Sequence, residues 1–497
     1  MNKTCALRLL LTGALAAGFA CSGDDDDGDD TTIDRDGGVT RDGGSTVDPT
    51  DPPTTYTFES RFEAGASSVV HSGQTLRHVL IVDMKNRVSG LTDRIDMGTF
   101  TPTTGDVMAE LEFYLEFDAA SAGGETHGID TTPAALQTTY GEIGSANLIG
   151  KIAGNDEAGQ HEDWTMAFRG WDDASVTTPE SLVRLWFAEL DTLAARRAAG
   201  DIPVDPDGNA ISEVYVSPEG LDYSQLLQKF LTGAIAYSQG ADDYLDDDTD
   251  GKGLRTDNTM ADGDSPYTAL EHQWDEGFGY FGASHDYAMY DDDEIAAAGG
   301  REGWSSGYHD TDGDGSIDLL SEYVFGHAQN AGKRDRGAVV ATDFTKDAID
   351  AFTAGRHIIA TAGGALDTEK MAALVVERDK ALTAWEAAIA ATVVHYINDT
   401  LQDMEAFGTS EYNFYDHAKH WSEMKGFALA FQFSRHSSLT DAQFEMLHAL
   451  LRDAPVLPGS ADIEQYKTDL RDARAMIGSA MGFASDNLGD MVGENGW

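Results

Sequence analysis

From about Tyr56 to the C-terminus, nearly every long apolar segment repeats at three- and four-residue spacing. That is the period of a helix with one buried face. The pattern runs through 74–91, 106–117, 179–199, 221–244, 266–290 and 344–360. It continues through 368–407, 412–433, 441–452 and 462–483. Thr178 precedes Pro179 and Glu180, a helix-start signature. No run of alternating apolar and polar residues is long enough to propose a sheet; Tyr56-Thr57-Phe58 reads as a short strand or an extended lead-in. The expected fold is all-α: helical bundles, two packed sub-bundles in one body over 56–497, joined by Asp/Gly-rich loops.

Charge decides which partners such a body can have. Of 497 residues, 87 are acidic and 33 basic, a formal net charge of −54. A surface this acidic repels phosphate backbones, so no nucleic-acid partner is expected, and divalent cations are the natural counterparts. Only two cysteines are present, which excludes a disulfide scaffold and paired-cysteine zinc sites.

The N-terminus reads as an export signal. Lys3 and Arg8 precede a short apolar run from Leu9 to Phe19, too short to span a membrane. The run ends at Ala20-Cys21, resembling a bacterial lipoprotein cleavage site, so residues 1–20 are expected to leave and Cys21 to be lipidated. Residues 21–55 hold Asp24 to Asp27, Asp29 and Asp30 among Gly, Thr and Pro, with few large apolar side chains. Such a segment is expected to be a disordered acidic tether. Ser22 after the cysteine fits an outer-membrane destination, and the acidic run fits surface exposure.

Two loops carry Asp at alternate positions ahead of Gly, the pattern that points several oxygen ligands at one hard cation. The first runs Asp310, Asp312, Asp314, Gly315, Ser316, Ile317 and Asp318. It follows a helix–loop–helix calcium loop through its ninth position. The carbonyl of Ser316 would be a ligand and Ile317 would pack inward. The last acid falls one residue late, at Glu322. The second presents Asp246, Asp248, Asp250 and, at the twelfth position, Asp257, with Gly253 where an apolar anchor would stand. Calcium is the expected ion, with a solvated acidic turn as the alternative.

Two helices place imidazole and carboxylate on one face. His272 shares a face with Asp275 and Glu276. His420 shares one with Glu423, and His417 lies one turn earlier. Bundle cores hold iron, zinc or manganese at this spacing. A hydrogen-bonded His/acid pair is the plainer alternative. His285, His327, His357 and His395 read as single, structural histidines.

The blocks GKIAGND, LLQKFLTGAIAYSQGADDYLDDD, YTALEHQWDEGFGYFGA, DTDGDGSIDLLSEY, AKHWSEMKGFALAFQF and LRDAPVLPG, with the final NGW, resemble an uncharacterised bacterial lipoprotein family, domain of unknown function 4856. The resemblance covers roughly 56–497. More distantly, the chain is similar to imelysin-type iron-regulated surface proteins, whose His-x-x-Glu motif corresponds to His420 and Glu423 here, and less well to His272 and Asp275. The resemblance implies a helical, envelope-anchored protein tied to iron or other metal acquisition; the partners to consider are then the membrane through the lipid anchor, divalent cations and an outer-membrane metal-uptake receptor. The sequence thus favours a non-enzymatic, lipid-anchored, calcium-binding envelope protein with a transition-metal site. The alternatives are a metallopeptidase or oxidoreductase, or a structural surface module with calcium-stapled loops.

Overall fold

The computed structural model describes residues 51–156 and 160–497. The export signal, Cys21 and nearly all of the tether lie outside the described residues. Among the described residues the fold is all-α, with isolated β-bridges and no strand. The principal helices are α1 (Ser72–Ser89), α2 (Asp106–Leu115), α3 (Pro179–Ala198), α4 (Tyr223–Leu231), α5 (Ala269–Phe281) and α6 (Gly326–Arg336). They are followed by α7 (Phe344–Ala362), α8 (Thr368–Glu405), α9 (Phe414–Ala428), α10 (Asp441–Leu451) and α11 (Ile463–Met481).

Helix α8 is the spine. From Ala381 to Leu401 its side chains are buried almost all round, the signature of a helix enclosed by others rather than lying on a surface. It packs on α6, α7, α9 and α11, while α4 joins α1 to α9. The apolar cluster is continuous from Tyr56 to Trp497, with a small satellite around Ile211, Val216, Phe414 and Ala418. Several buried indoles are also hydrogen-bonded, as an amphipathic ring in a core requires. Trp385 donates to His327 Nδ1 at 2.8 Å, Trp421 to Tyr466 Oη at 2.8 Å and Trp274 to the Phe352 carbonyl at 2.9 Å.

Three elements depart from the periodicity. The segment expected as one helix over 221–244 begins as α4 and then widens into π-helical turns, Thr232–Tyr237 and Gly240–Tyr244. Close packing accompanies the change. A Cβ at Gly233 would lie 2.7 Å from Ala430 Cβ, and one at Gly240 2.6 Å from the Trp385 ring. The helix expected over 266–290 is shorter. Thr268 and Glu271 close a capping box at its start, and Gly282, in the left-handed region at φ +91°, ends it. Helix α6 carries too polar a sequence to announce itself, yet it buries His327, Ala328 and Ala331 against α8.

Helices α5 and α7 meet where Gly355 faces Trp274. A Cβ there would sit 2.0 Å from the indole, which is wholly buried. Gly355→Ala is therefore expected to destabilise the fold by about 1–3 kcal/mol through overpacking, although alanine is the better helix former. Denaturant unfolding checks the sign: a stabilised variant would contradict this packing.

Candidate metal centres

Two sets of described residues bring three ligand-type atoms within 4.8 Å of one another: Asp310, Asp312 and Asp314, and Asp246, Asp247 and His436. Their surroundings differ.

The first set sits on a loop shaped by its own backbone. Gly313 and Gly315 both take left-handed conformations, at φ +76° and +91°. Asp310 Oδ2 accepts from Gly315 N at 3.0 Å, Asp312 Oδ1 from Asp314 N at 3.0 Å and Asp314 Oδ1 from Ser316 N at 2.8 Å. Ile317 is fully buried and anchors the loop to 134–136: its N–H donates to Ala134 O at 3.0 Å, and its carbonyl accepts from Leu136 N at 2.8 Å. Asp310 Oδ1 is buried and meets no hydrogen-bond donor among the described residues. No Lys, Arg or His among them forms an ion pair with Asp310, Asp312 or Asp314.

The two later acids of this loop do different work. Glu322 braces the loop's backbone, accepting from Thr311 N at 2.7 Å, Asp312 N at 3.3 Å and Asp318 N at 2.8 Å. Burial raises its pKa despite these donors. Asp318 turns inward, accepting from Gln137 Nε2 at 2.7 Å, Leu320 N at 3.0 Å and Ser321 Oγ at 2.9 Å. Beneath the loop Asp286, buried and raised in pKa by that burial, accepts the Thr311 hydroxyl. Its place, 24 residues before Asp310, gave no signal in the loop motif.

The second set is already neutralised. Asp246 Oδ1 takes Arg435 Nε at 2.6 Å and His436 Nε2 at 3.3 Å, and Asp247 Oδ1 takes Arg378 at 3.3 Å. Burial opposes charge on Asp246, but the His436 and Arg435 contacts and local backbone donors hold it down at about 2. The expected quartet of Asp246, Asp248, Asp250 and Asp257 is not gathered. Asp248 accepts from Thr249, Asp250 pairs with Arg255 and Asp257 accepts from Thr259. The ligand expected from every second position is replaced here by Asp247 and by His436 from the far end of the chain.

The helical histidines keep only part of the acids expected beside them: His272 keeps Glu276 but not Asp275. His272 stacks on Tyr267 at 4.4 Å and lies 3.8 Å from Glu276, which accepts from Gln74 at 2.8 Å. Asp275, wholly buried, turns to Arg356 Nε at 2.8 Å and Tyr56 Oη at 2.7 Å. Burial lifts it to about 6 against those two partners. Glu423 is wholly buried with Lys229 Nζ at 3.3 Å. Burial opposes its charge, but Lys229, Lys419 and His420 keep its pKa low. His417, also buried, lies 3.3 Å from Tyr412 Oη, and burial drives it down to about 3.

His420 faces α8 instead. Its Nδ1 is 2.8 Å from Asp403 Oδ2 and its Nε2 4.0 Å from Asp399 Oδ2, the same oxygen that lies 3.3 Å from His395 Nε2. Burial disfavours the imidazolium, but the Asp403 hydrogen bond and the charges of Asp399, Asp403 and Glu423 win, raising His420 to about 9. A raised histidine stabilises the fold fully below its unfolded pKa near 6.5, and that stability is lost as pH rises through about 9. The pair's contribution, on the order of 3 kcal/mol, should therefore fade between pH 6.5 and 9.5. Unfolding free energies of the wild type and His420→Gln are expected to converge over that window; a constant difference would contradict the pairing.

Among the described residues, no helix is long and apolar enough to cross a membrane. No curated protein and no solved structure matches the chain. The family described as a domain of unknown function (DUF4856) matches residues 176–484, a span from α3 through α11 that holds both acidic loops. On that match the chain belongs to the DUF4856 family.

Proposed function

We propose that this chain is an exported, lipid-anchored envelope protein that binds calcium in the 310–318 loop. One observation carries the calcium reading. Asp310, Asp312 and Asp314 converge within 4.8 Å with no basic partner among the described residues, whereas the comparable cluster at Asp246 is closed by arginines. Three carboxylates held together repel one another, and a hard divalent cation with oxygen ligands relieves that repulsion. The loop supplies three such ligands, and the Ser316 carbonyl and solvent complete a coordination shell of six to eight oxygens. Export and anchoring rest on Lys3, Arg8, the apolar run to Phe19 and Cys21. Ser22 after that cysteine favours the outer membrane, and the acidic run after it favours surface exposure.

A second reading places iron, zinc or manganese at the α8–α9 seam, in a metal-acquisition role suggested by the imelysin resemblance. The observation favouring it is Asp399 Oδ2, shared by the Nε2 atoms of His395 and His420. A metal there would have to displace the proton that His420 holds at neutral pH, so this site would load better as pH rises.

Calcium at a hundred times its dissociation constant stabilises a folded protein by about 2.7 kcal/mol. A calcium chelator is expected to lower the melting temperature of the wild type, and excess calcium to restore it. The double variant Asp312→Ala, Asp314→Ala should melt at one temperature in both conditions. A wild type indifferent to chelator would sink the calcium reading.

A further inference from the structure

A cleft of about 890 Å³ opens between residues 57–72, the turn 318–321 and the C-terminal part of α7. Two imidazoles meet on its wall. His71 is the residue before α1, and His285 follows α5, 214 positions later. Their Nε2 atoms are 3.0 Å apart and their rings cross at 71°.

The pair is held from several sides. His285 N donates to Ser321 O at 2.7 Å, and its carbonyl accepts from Tyr56 N at 2.7 Å, so its backbone is clamped by two separate segments. Phe278 packs edge-on to His71 and tilted to His285. Gly279 makes room for the His71 ring: a Cβ there would lie 2.6 Å from His71 Cβ and 2.8 Å from its Cγ. An alanine in α5 would thus push His71 away from His285.

Two neutral imidazoles at this distance have two uses. They form one N–H···N hydrogen bond, or both present a lone pair to a common point. Two nitrogens each about 2.1 Å from a metal are about 3 Å apart at the right angle of a square-planar copper site and about 3.4 Å apart at the tetrahedral angle of zinc, so the 3.0 Å separation here fits the first directly and the second after a shift of a few tenths of an ångström. A third imidazole lines the same cleft. His357 is 4% exposed, and its Nε2 has no hydrogen-bond partner among the described residues. Asp318 adds a carboxylate to the wall and lends negative potential.

We propose that His71 and His285 together bind one borderline divalent metal of the zinc–copper class, with the cleft admitting water or an outside ligand to the remaining positions. Imidazole nitrogen suits these metals, unlike calcium, so this site and the 310–318 loop should load independently. The proposal does not rest on the calcium reading.

The test uses untagged full-length protein, stripped of metal and titrated with Zn2+ by calorimetry and with Cu2+ by electron paramagnetic resonance. The wild type should take up one tight equivalent, with hyperfine coupling to at least two nitrogens at one equivalent of Cu2+. His285→Gln, which can still hydrogen-bond His71, and His71→Gln should each lose that equivalent. Asp312→Ala, Asp314→Ala should retain it. Retention of the tight equivalent in both glutamine variants would show a hydrogen-bonded pair only and overturn the proposal. Should either variant fail to fold, Zn2+ protection of His71 and His285 from an imidazole-modifying reagent in the wild type gives the same decision. Protection of both supports the site, and equal modification with and without Zn2+ overturns it.

Discussion

The constraint on which this structure turns is a shortage of positive charge. With 87 acids and 33 bases, every carboxylate taken into the interior needs a partner that the chain can rarely spare. Arginine serves the deepest sites: Arg356 reaches Asp275 and Glu271 from α7, and Arg301 holds Glu294. Lys229 in α4 answers Glu423 in α9. Elsewhere backbone N–H groups substitute. Asp335 accepts from Phe344 and Thr345, Asp191 from Gly105 and Val107, and Glu386 from Ser438. Arg301–Glu294 and the Asp335 contacts are local, within ten residues, but the others join segments distant in sequence, so there neutralisation and tertiary assembly are one event. Asp310, Asp312 and Asp314 are gathered instead at the surface, Asp312 and Asp314 exposed, without a basic partner of this kind among the described residues.

Much of this was legible because helices write a local signature. The spine α8 follows from the unbroken run around Trp385 to Ile397, and α3 from Thr178 and Pro179. What periodicity could not show was where neighbours would press. The π-helical turns after α4 lie where Gly233 and Gly240 face Ala430 and Trp385, contacts of long range. Helix α6 was hidden because its buried face is built from His327 and alanines rather than large aliphatic residues.

The sites divide the same way. The 310–318 loop is a local motif, and its glycines, Asp alternation and inward Ile317 all appear in the fold. At its neighbour Asp246 the local pattern did not show Arg378, Arg435 and His436, which come from elsewhere in the chain. His420 kept an acidic partner but exchanged Glu423 for Asp403, one helix earlier. His285 read as a lone histidine only because His71 lies 214 residues before it.

The loop and the histidine cleft share the turn 318–321: Asp318 lines the cleft and Ser321 holds His285 by its backbone. The central claim is that calcium occupies the loop, and a crystal structure from calcium-containing solution tests it most directly. The account predicts one anomalous peak about 2.3–2.6 Å from carboxylate oxygens of Asp310, Asp312 and Asp314. An ordered loop with no peak among them at saturating calcium would contradict it.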